Sequence, residues 1–258
     1  MMTMNKTTQK NMRHPNIEAF IVCWNEEAII RHTLNHYASF CSKITLIDNY
    51  STDNTIAVAR ENFPEITVTL FDTQGEIRDD LLTQMKNNCW KESKADYVIV
   101  CDTDEFLYAD DLHGQLKKLE EHNVAMPVVI GYNMGSVDFP GNFDISIYEQ
   151  VQHGVRDRNF DKQIIFNPRA VTEINYSPGC HFANPVFKNS RLRDPVVEFK
   201  LLHYKYLSKE YLYNKHMLYS HRLSQFNKEF NYGAEYLAGK QHIDACFDLI
   251  DKHLYKII

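Results

Sequence analysis

The sequence lacks the features that mark specialised architectures. With 9 Gly and 8 Pro it has too little of either for a collagen-like or low-complexity chain, and 44% hydrophobic with 24% charged residues is the composition of a chain that folds. The six cysteines (Cys23, Cys41, Cys89, Cys101, Cys180 and Cys246) include no Cys-x-x-Cys pair. Several lie in apolar runs, where a thiol acts as a small hydrophobe. Neither disulfides nor a zinc knuckle is expected, and the chain reads as belonging to a reducing compartment. Positive charge is not in excess: a formal charge of -6 gives no global attraction to nucleic acid or to an anionic membrane. No apolar run approaches the ~20 residues of a membrane span, and MMTMNKTTQKNMRHP has no signal-peptide core. The expectation is a cytoplasmic protein, at most peripheral at the inner face of the membrane. No internal repeat is visible.

What is present is an alternation. Ile17 to Trp24 is an apolar run of strand length, after which Asn25-Glu26-Glu27 opens a helical pattern through Ile29, Ile30, Leu34 and Tyr37. KITLID (43–48) is a second strand, and Ser51 or Asp53 can cap the helix-like TIAVARENF. ITVTLF (66–71) is a third strand, Ile77, Leu81, Leu82, Met85 and Cys89 fall at helical spacing, and a fourth strand follows Asp96. This order predicts an α/β fold with a mostly parallel central sheet flanked by helices. The second half is less regular, with strand-like segments in VAMPVVIGY, KQIIFN and VVEFKLLHY. From Ser208 the pattern turns helical and ends in a stripe of Ile243, Cys246, Phe247, Ile250 and Leu254, a helix docked on its own domain.

The fourth strand, YVIVCDTDEFLY (97–108), ends in three acids within four residues. Ionised carboxylates at a strand end need a cationic partner, since burying them alone costs several kcal/mol each. In extended backbone Asp102 and Asp104 project to one side, and carboxylate oxygens suit Mg²⁺ or Mn²⁺. An isolated Asp-x-Asp is more simply explained as turn capping or a solvated strand end. Val197, Phe199, Leu201 and His203 alternate on one strand, so His203 is either a ligand or a core histidine bonded to a carbonyl.

Together these segments resemble the GT-A glycosyltransferases of family 2. FIVCWNEEAIIRHTL is similar to the opening strand and Asn-Glu-Glu of that family, and ITLIDNYSTDNT to its second strand, with Asn49-Tyr50 where the commonest form has Asp-Gly. DTDEF is similar to a bacterial subgroup whose Asp-x-Asp continues into Glu-Phe. The resemblance runs from about Ile17 to Ser208 and implies a catalytic domain (16–207), divided into a nucleotide-binding half (16–108) and an acceptor half (109–207); the residue pattern adds a flexible tail (1–15) and a C-terminal helical extension (208–258). It implies that Asp48 accepts from the nucleotide base, with Cys23 and Glu26 lining that pocket and Arg78 a basic residue before the metal strand. Asp102 would contact ribose or metal, and Asp104 and His203 would bind Mn²⁺ or Mg²⁺. Lys162 would neutralise diphosphate, and His181 would lie at the active-site mouth. The implied reaction moves a sugar from a nucleotide diphosphate sugar, UDP-linked by family frequency, to a glycan or lipid-linked acceptor, with inversion. The general base is sought among Asp161, Asp194, Glu198 and His181, with Asp161 first because it adjoins Lys162.

Two other readings are distinguishable. Haloacid dehalogenase-like phosphohydrolases also carry Asp-x-Asp after a strand, but with a small Thr or Val where this chain has Phe106, and near the start of the catalytic core. A non-catalytic nucleotide-sugar or carbohydrate-binding domain would keep the fold without turnover. His32 and His36, four apart on the first helix, are read as a solvated face, since Thr33 stands where a zinc-protease motif needs Glu. Tyr204, Tyr206, Tyr211, Tyr213 and Tyr219 are read first as packing residues.

Overall fold

The structure is a computed structural model describing residues 14–188 and 197–258; most of the expected tail, and Asp194, lie outside the described residues. The first hundred residues alternate as anticipated: β1 (Ile17–Cys23), α1 (Ile30–Ala38), β2 (Lys43–Asp48), α2 (Thr55–Asn62), β3 (Thr67–Leu70), α3 (Asp79–Asn88) and β4 (Tyr97–Asp102). All four strands are parallel, in the order β3-β2-β1-β4. β1 is buried along its whole length, as a central parallel strand covered on both faces must be. Ile17, Ala19, Ile21 and Cys23 pack with Ile30, Leu34 and Tyr37 of α1, while Phe20 packs in a second cluster with Trp90 and Phe166. Asp53 accepts from the Thr55 N–H at 2.9 Å, so it serves the entry to α2 as expected.

α3 starts later than its periodicity suggests. Ile77 pairs through its backbone with the 222–224 segment, donating to Arg222 O at 2.7 Å, and those groups are lost to the helix. Arg78 therefore precedes α3.

The remaining elements are β5 (Glu105–Tyr108), α4 (Leu112–Glu121), β6 (Val128–Ser136), α5 (Ile147–Gln150), β7 (His153–Arg156), β8 (Ile165–Phe166), β9 (Val171–Glu173), β10 (Val186–Phe187), β11 (Glu198–Leu207), α6 (Lys209–Ser220), α7 (Gln225–Glu229), α8 (Lys240–Asp251) and β12 (Tyr255–Lys256). β8 adds to the first sheet antiparallel to β4. A second sheet runs β12-β7-β6-β11-β5, in which only β6 and β11 are parallel. β9 and β10 form an antiparallel pair. Ile243 and Phe247 of α8 pack on Leu212 of α6, as expected of a docked helix. Among the described residues no helix is long and apolar enough to cross a membrane.

One face assignment needs correcting. His32 and His36 are buried, because β5 and the 139–143 segment cover the side of α1 that reads as solvated. His32 Nε2 meets Pro140 O and His36 Nε2 meets Leu107 O, each at 2.9 Å, so each ring bonds a backbone carbonyl. The tyrosines divide: Tyr204 is fully buried against Phe106 and Tyr211 packs on Phe139, whereas Tyr206 and Tyr219 line the cavity described next.

Candidate active site

The carboxyl ends of β1 and β4 open onto a cavity of about 600 Å³, at the edge where open parallel sheets hold ligands. Its floor is the acidic run. Asp102 ends β4, Thr103 and Asp104 form a turn, and Glu105 begins β5 in the other sheet. The expected uninterrupted extended backbone is therefore replaced by a crossing between sheets. Thr103 is anchored, its carbonyl accepting from the Thr33 hydroxyl at 2.6 Å, and the Asp102 N–H donates to Glu105 Oε2 at 3.0 Å. Asp102, Asp104 and Glu105 all line the cavity.

Lysines from three separate segments meet these acids: α3, the loop before β8, and α6. Lys86 of α3 lies 2.6 Å from Asp102 Oδ1, and Lys162 lies 2.6 Å from Glu105 Oε1. Lys215 of α6 lies 2.9 Å from both Asp104 Oδ2 and Glu26 Oε1. Burial opposes the charge on every member, raising carboxyl pKa values and lowering those of amines. For Asp104 the burial penalty is outweighed by Lys215 and His203, which hold its carboxyl well below the usual range. Lys86 and Lys162 do the same more moderately for Asp102. On Glu26 burial wins, and its pKa is raised. The lysines are likewise held above their ordinary value despite burial, by Asp102, Glu105 and Asp104 respectively. Such charges are interdependent, since removing one partner strands the other away from water.

His203 enters from β11, opposite Asn133 of β6 and Glu105 of β5, just before a register shift between β6 and β11. Its Nδ1 is 2.7 Å from Asn133 Oδ1, and Asn133 Nδ2 donates to Asp157 Oδ2 at 2.8 Å. A carboxylate only accepts, so the amide must turn its NH₂ to Asp157 and its oxygen to His203. Nδ1 then carries a proton, and Nε2 is the ring nitrogen that faces Asp104 Oδ2, at 3.5 Å. Phe160 stacks on His203 at 4.0 Å between ring centroids, and His181 stands edge-on to Phe160 at 5.3 Å. His181 Nδ1 donates to Asn159 O at 2.8 Å.

Of the residues singled out by sequence, Cys23, Glu26, Asp102, Asp104, Lys162, His181 and His203 line this one cavity. Asp48 stands behind its wall, buried, accepting from the Ser51 hydroxyl at 2.5 Å and facing Cys23 Sγ at 3.5 Å, while Asn49 reaches the cavity instead. Its carboxylate is thus engaged within its own loop. Asp161 points elsewhere: Oδ1 accepts from the Gly131 N–H at 2.8 Å and Oδ2 pairs with Arg156 at 2.6 Å. Arg78 is also turned away, bound to Asp80 at 2.6 Å with its guanidinium 5.6 Å from the Phe226 ring centre. Glu198 is exposed at the start of β11.

Several cavity residues were not anticipated. Lys86 sits within the Leu82, Met85 and Cys89 stripe, and a charge on an apolar helix face is the signal that could have marked it. Lys215 and Tyr219, four apart on one face of α6 in line with the packed Tyr211, are a second readable signal. Arg222 lies 3.7 Å above the Trp24 ring and donates to Asn49 Oδ1 at 2.5 Å. No local pattern marks that triplet, because it joins three distant segments.

No curated protein matches the chain. Among solved structures it is similar to residues 1–349 of S. aureus TarS, at 14% identity and a TM-score of 0.46, with 86% of this chain and 70% of that chain covered. The same TarS segment in complex with UDP-GlcNAc gives 15% identity and 0.44, covering 86% and 71%. The mannosyltransferase PcManGT from Pyrobaculum calidifontis, in complex with GDP-Man and Mn2+, gives 14% and 0.42, covering 81% and 62%. In sequence, the model of glycosyl transferase family 2 matches residues 19–182, a span that runs from β1 through the acidic turn to His181. The chain is a glycosyltransferase of the GT-A fold and belongs to glycosyl transferase family 2.

Proposed function

We propose that this enzyme moves a sugar from a nucleoside diphosphate donor, UDP-linked in the first instance, to a hydroxyl of a glycan or lipid-linked saccharide, with inversion. The observation that carries this reading is the convergence of Asp102, Asp104, Glu26 and His203 with three lysines on one cavity at the strand ends. Preorganised charges of both signs suit a diphosphate leaving group and its counter-ion.

A divalent ion fits this site at one place. Asp104 Oδ2 and His203 Nε2 would offer an oxygen and a nitrogen, and the nitrogen favours Mn²⁺ over Mg²⁺, which prefers oxygen alone. Among the described residues no three His, Cys, Asp or Glu side chains are gathered to hold an ion, so donor oxygens and water would supply the remaining ligands. Such an ion, when bound, acts as a Lewis acid on the leaving group.

The chain's own residues account for the rest. Trp24, Arg222 and Asn49 form the side of the cavity assigned to the nucleotide base, with Cys23 in its wall and Asp48 fixing the loop from behind. Asp102, whose side chain is 37% exposed, is assigned to the ribose, its other oxygen held by Lys86. Lys162 is spaced by Glu105 for contact with the diphosphate. His181 is the assigned proton acceptor. Burial, and then Lys162, lower its pKa, which favours the unprotonated ring, and with Nδ1 donating to Asn159 its Nε2 is the nitrogen left to accept. On this reading residues 16–108 hold the nucleotide, 109–207 shape the acceptor side and 208–258 close over both. The setting is the cytoplasm, with at most peripheral membrane association.

Incubating the protein with UDP- and GDP-linked sugars and Mn²⁺, and following free nucleotide diphosphate and sugar transfer, tests the reading. Release of UDP or GDP supports it. Release of inorganic phosphate alone indicates a phosphohydrolase, and binding without turnover a carbohydrate-binding domain.

A further inference from the structure

Lys215 holds the place beside Asp104 that a bound cation would claim. Its ammonium is 2.9 Å from Asp104 Oδ2 and 2.9 Å from Glu26 Oε1, and the side chain is 14% exposed. Asp104 Oδ2 is also the oxygen that faces His203 Nε2. One oxygen therefore serves the lysine and is the oxygen required by the divalent ion of the proposed function, on which this inference rests. A dication and an ammonium sharing that oxygen in so dry a site repel each other strongly. The lysine has somewhere to go. Glu26 remains as its second partner, itself held by the Tyr219 hydroxyl at 2.9 Å, and the rings of Tyr211 and Tyr219 lie 5.8 and 5.6 Å from the ammonium.

The geometry points to Lys215 as a mobile counter-ion, passed from Asp104 to the diphosphate of the donor when a divalent ion takes Asp104. Glu26, Asp104 and Lys215 together carry one negative charge. A dication alone leaves the group positive, and the diphosphate supplies the anion that balances it. Ion and donor are then each weak ligands alone and strong ligands together, and α6, which carries Lys215, is tied to the loading of the site.

The test compares wild type with Lys215→Gln in two titrations: Mn²⁺ without nucleotide, by electron paramagnetic resonance, and UDP at saturating Mn²⁺, by calorimetry. Loss of the ammonium should tighten the first and weaken the second, each about tenfold. Changes in the same direction, or an unchanged UDP affinity, overturn the inference. In the wild-type protein the Lys215 Nζ resonance should shift when Mg²⁺ and UDP are added together. An unmoved resonance at saturation overturns it even if the variant does not fold. Failure of wild type to bind either UDP or GDP at any Mn²⁺ concentration would remove the proposed function and this inference with it. UDP binding that ignores Lys215 would remove the inference alone.

Discussion

His203 and Asn133 face each other in register on β11 and β6, and the 2.7 Å bond between them turns a strand pairing into a choice of tautomer. Asp157 fixes the amide from its far side. Asn133→Leu removes that control while leaving both proposed ligands in place. Loss of a partner of this kind typically costs 10–100-fold in metal affinity, so Mn²⁺ binding in the presence of UDP should weaken by about that factor. The measurement is a Mn²⁺ titration followed by electron paramagnetic resonance, with the melting temperature recorded to confirm folding. Unchanged affinity would place the ion away from His203.

Asp161 bonds the Gly131 N–H and pairs with Arg156, contacts of a residue that braces the backbone. Asp161→Ala should therefore lower stability by about 1–2 kcal/mol in urea unfolding, mostly from the stranded Gly131 N–H, and change kcat by no more than a few fold. Loss of a general base costs about 10²–10⁴ in rate. A fall of that size in a folded variant would restore Asp161 as the base.

The order of the first half was legible because the central parallel strands β1 and β4 are buried on both faces and so read as largely apolar runs, while the partly exposed β2 and the exposed β3 still keep strand-like alternation. The acids were legible for the converse reason: charges at the end of such a run demand partners. What could not be read were contacts between segments far apart in the chain. The solvated face assigned to His32 and His36 failed because β5 and the 139–143 segment cover α1, and nothing within the helix announces them. Lys215 approaches Asp104 from 111 residues away. The late start of α3 has the same origin, in pairing between Ile77 and the 222–224 segment.

The buried His36 predicts a dependence of stability on pH. Burial pulls its pKa from 6.5 to about 4, against a smaller opposing effect of the Leu107 carbonyl. The unfolded chain therefore binds a proton that the folded chain refuses. Stability is fully present above pH 6.5 and is lost as pH falls from 6.5 through about 4, by about 3 kcal/mol from this residue. His36→Gln keeps a donor for Leu107 O without titrating. Urea unfolding at several pH values should show a flatter profile for the variant across this window, with His216, also pulled down to about 4 by burial, supplying part of the remaining slope. Parallel profiles would mean that His36 is solvated in the folded protein.

The central claim, that Asp104 and His203 hold a divalent ion which in turn holds the nucleotide, is tested most directly by thermal unfolding with UDP, with and without Mn²⁺, in wild type and Asp104→Asn. With UDP at 100 times its dissociation constant the wild type should gain about 2.7 kcal/mol of apparent stability, only when Mn²⁺ is present, and the variant should gain none. Equal stabilisation of both proteins by UDP without metal would contradict it.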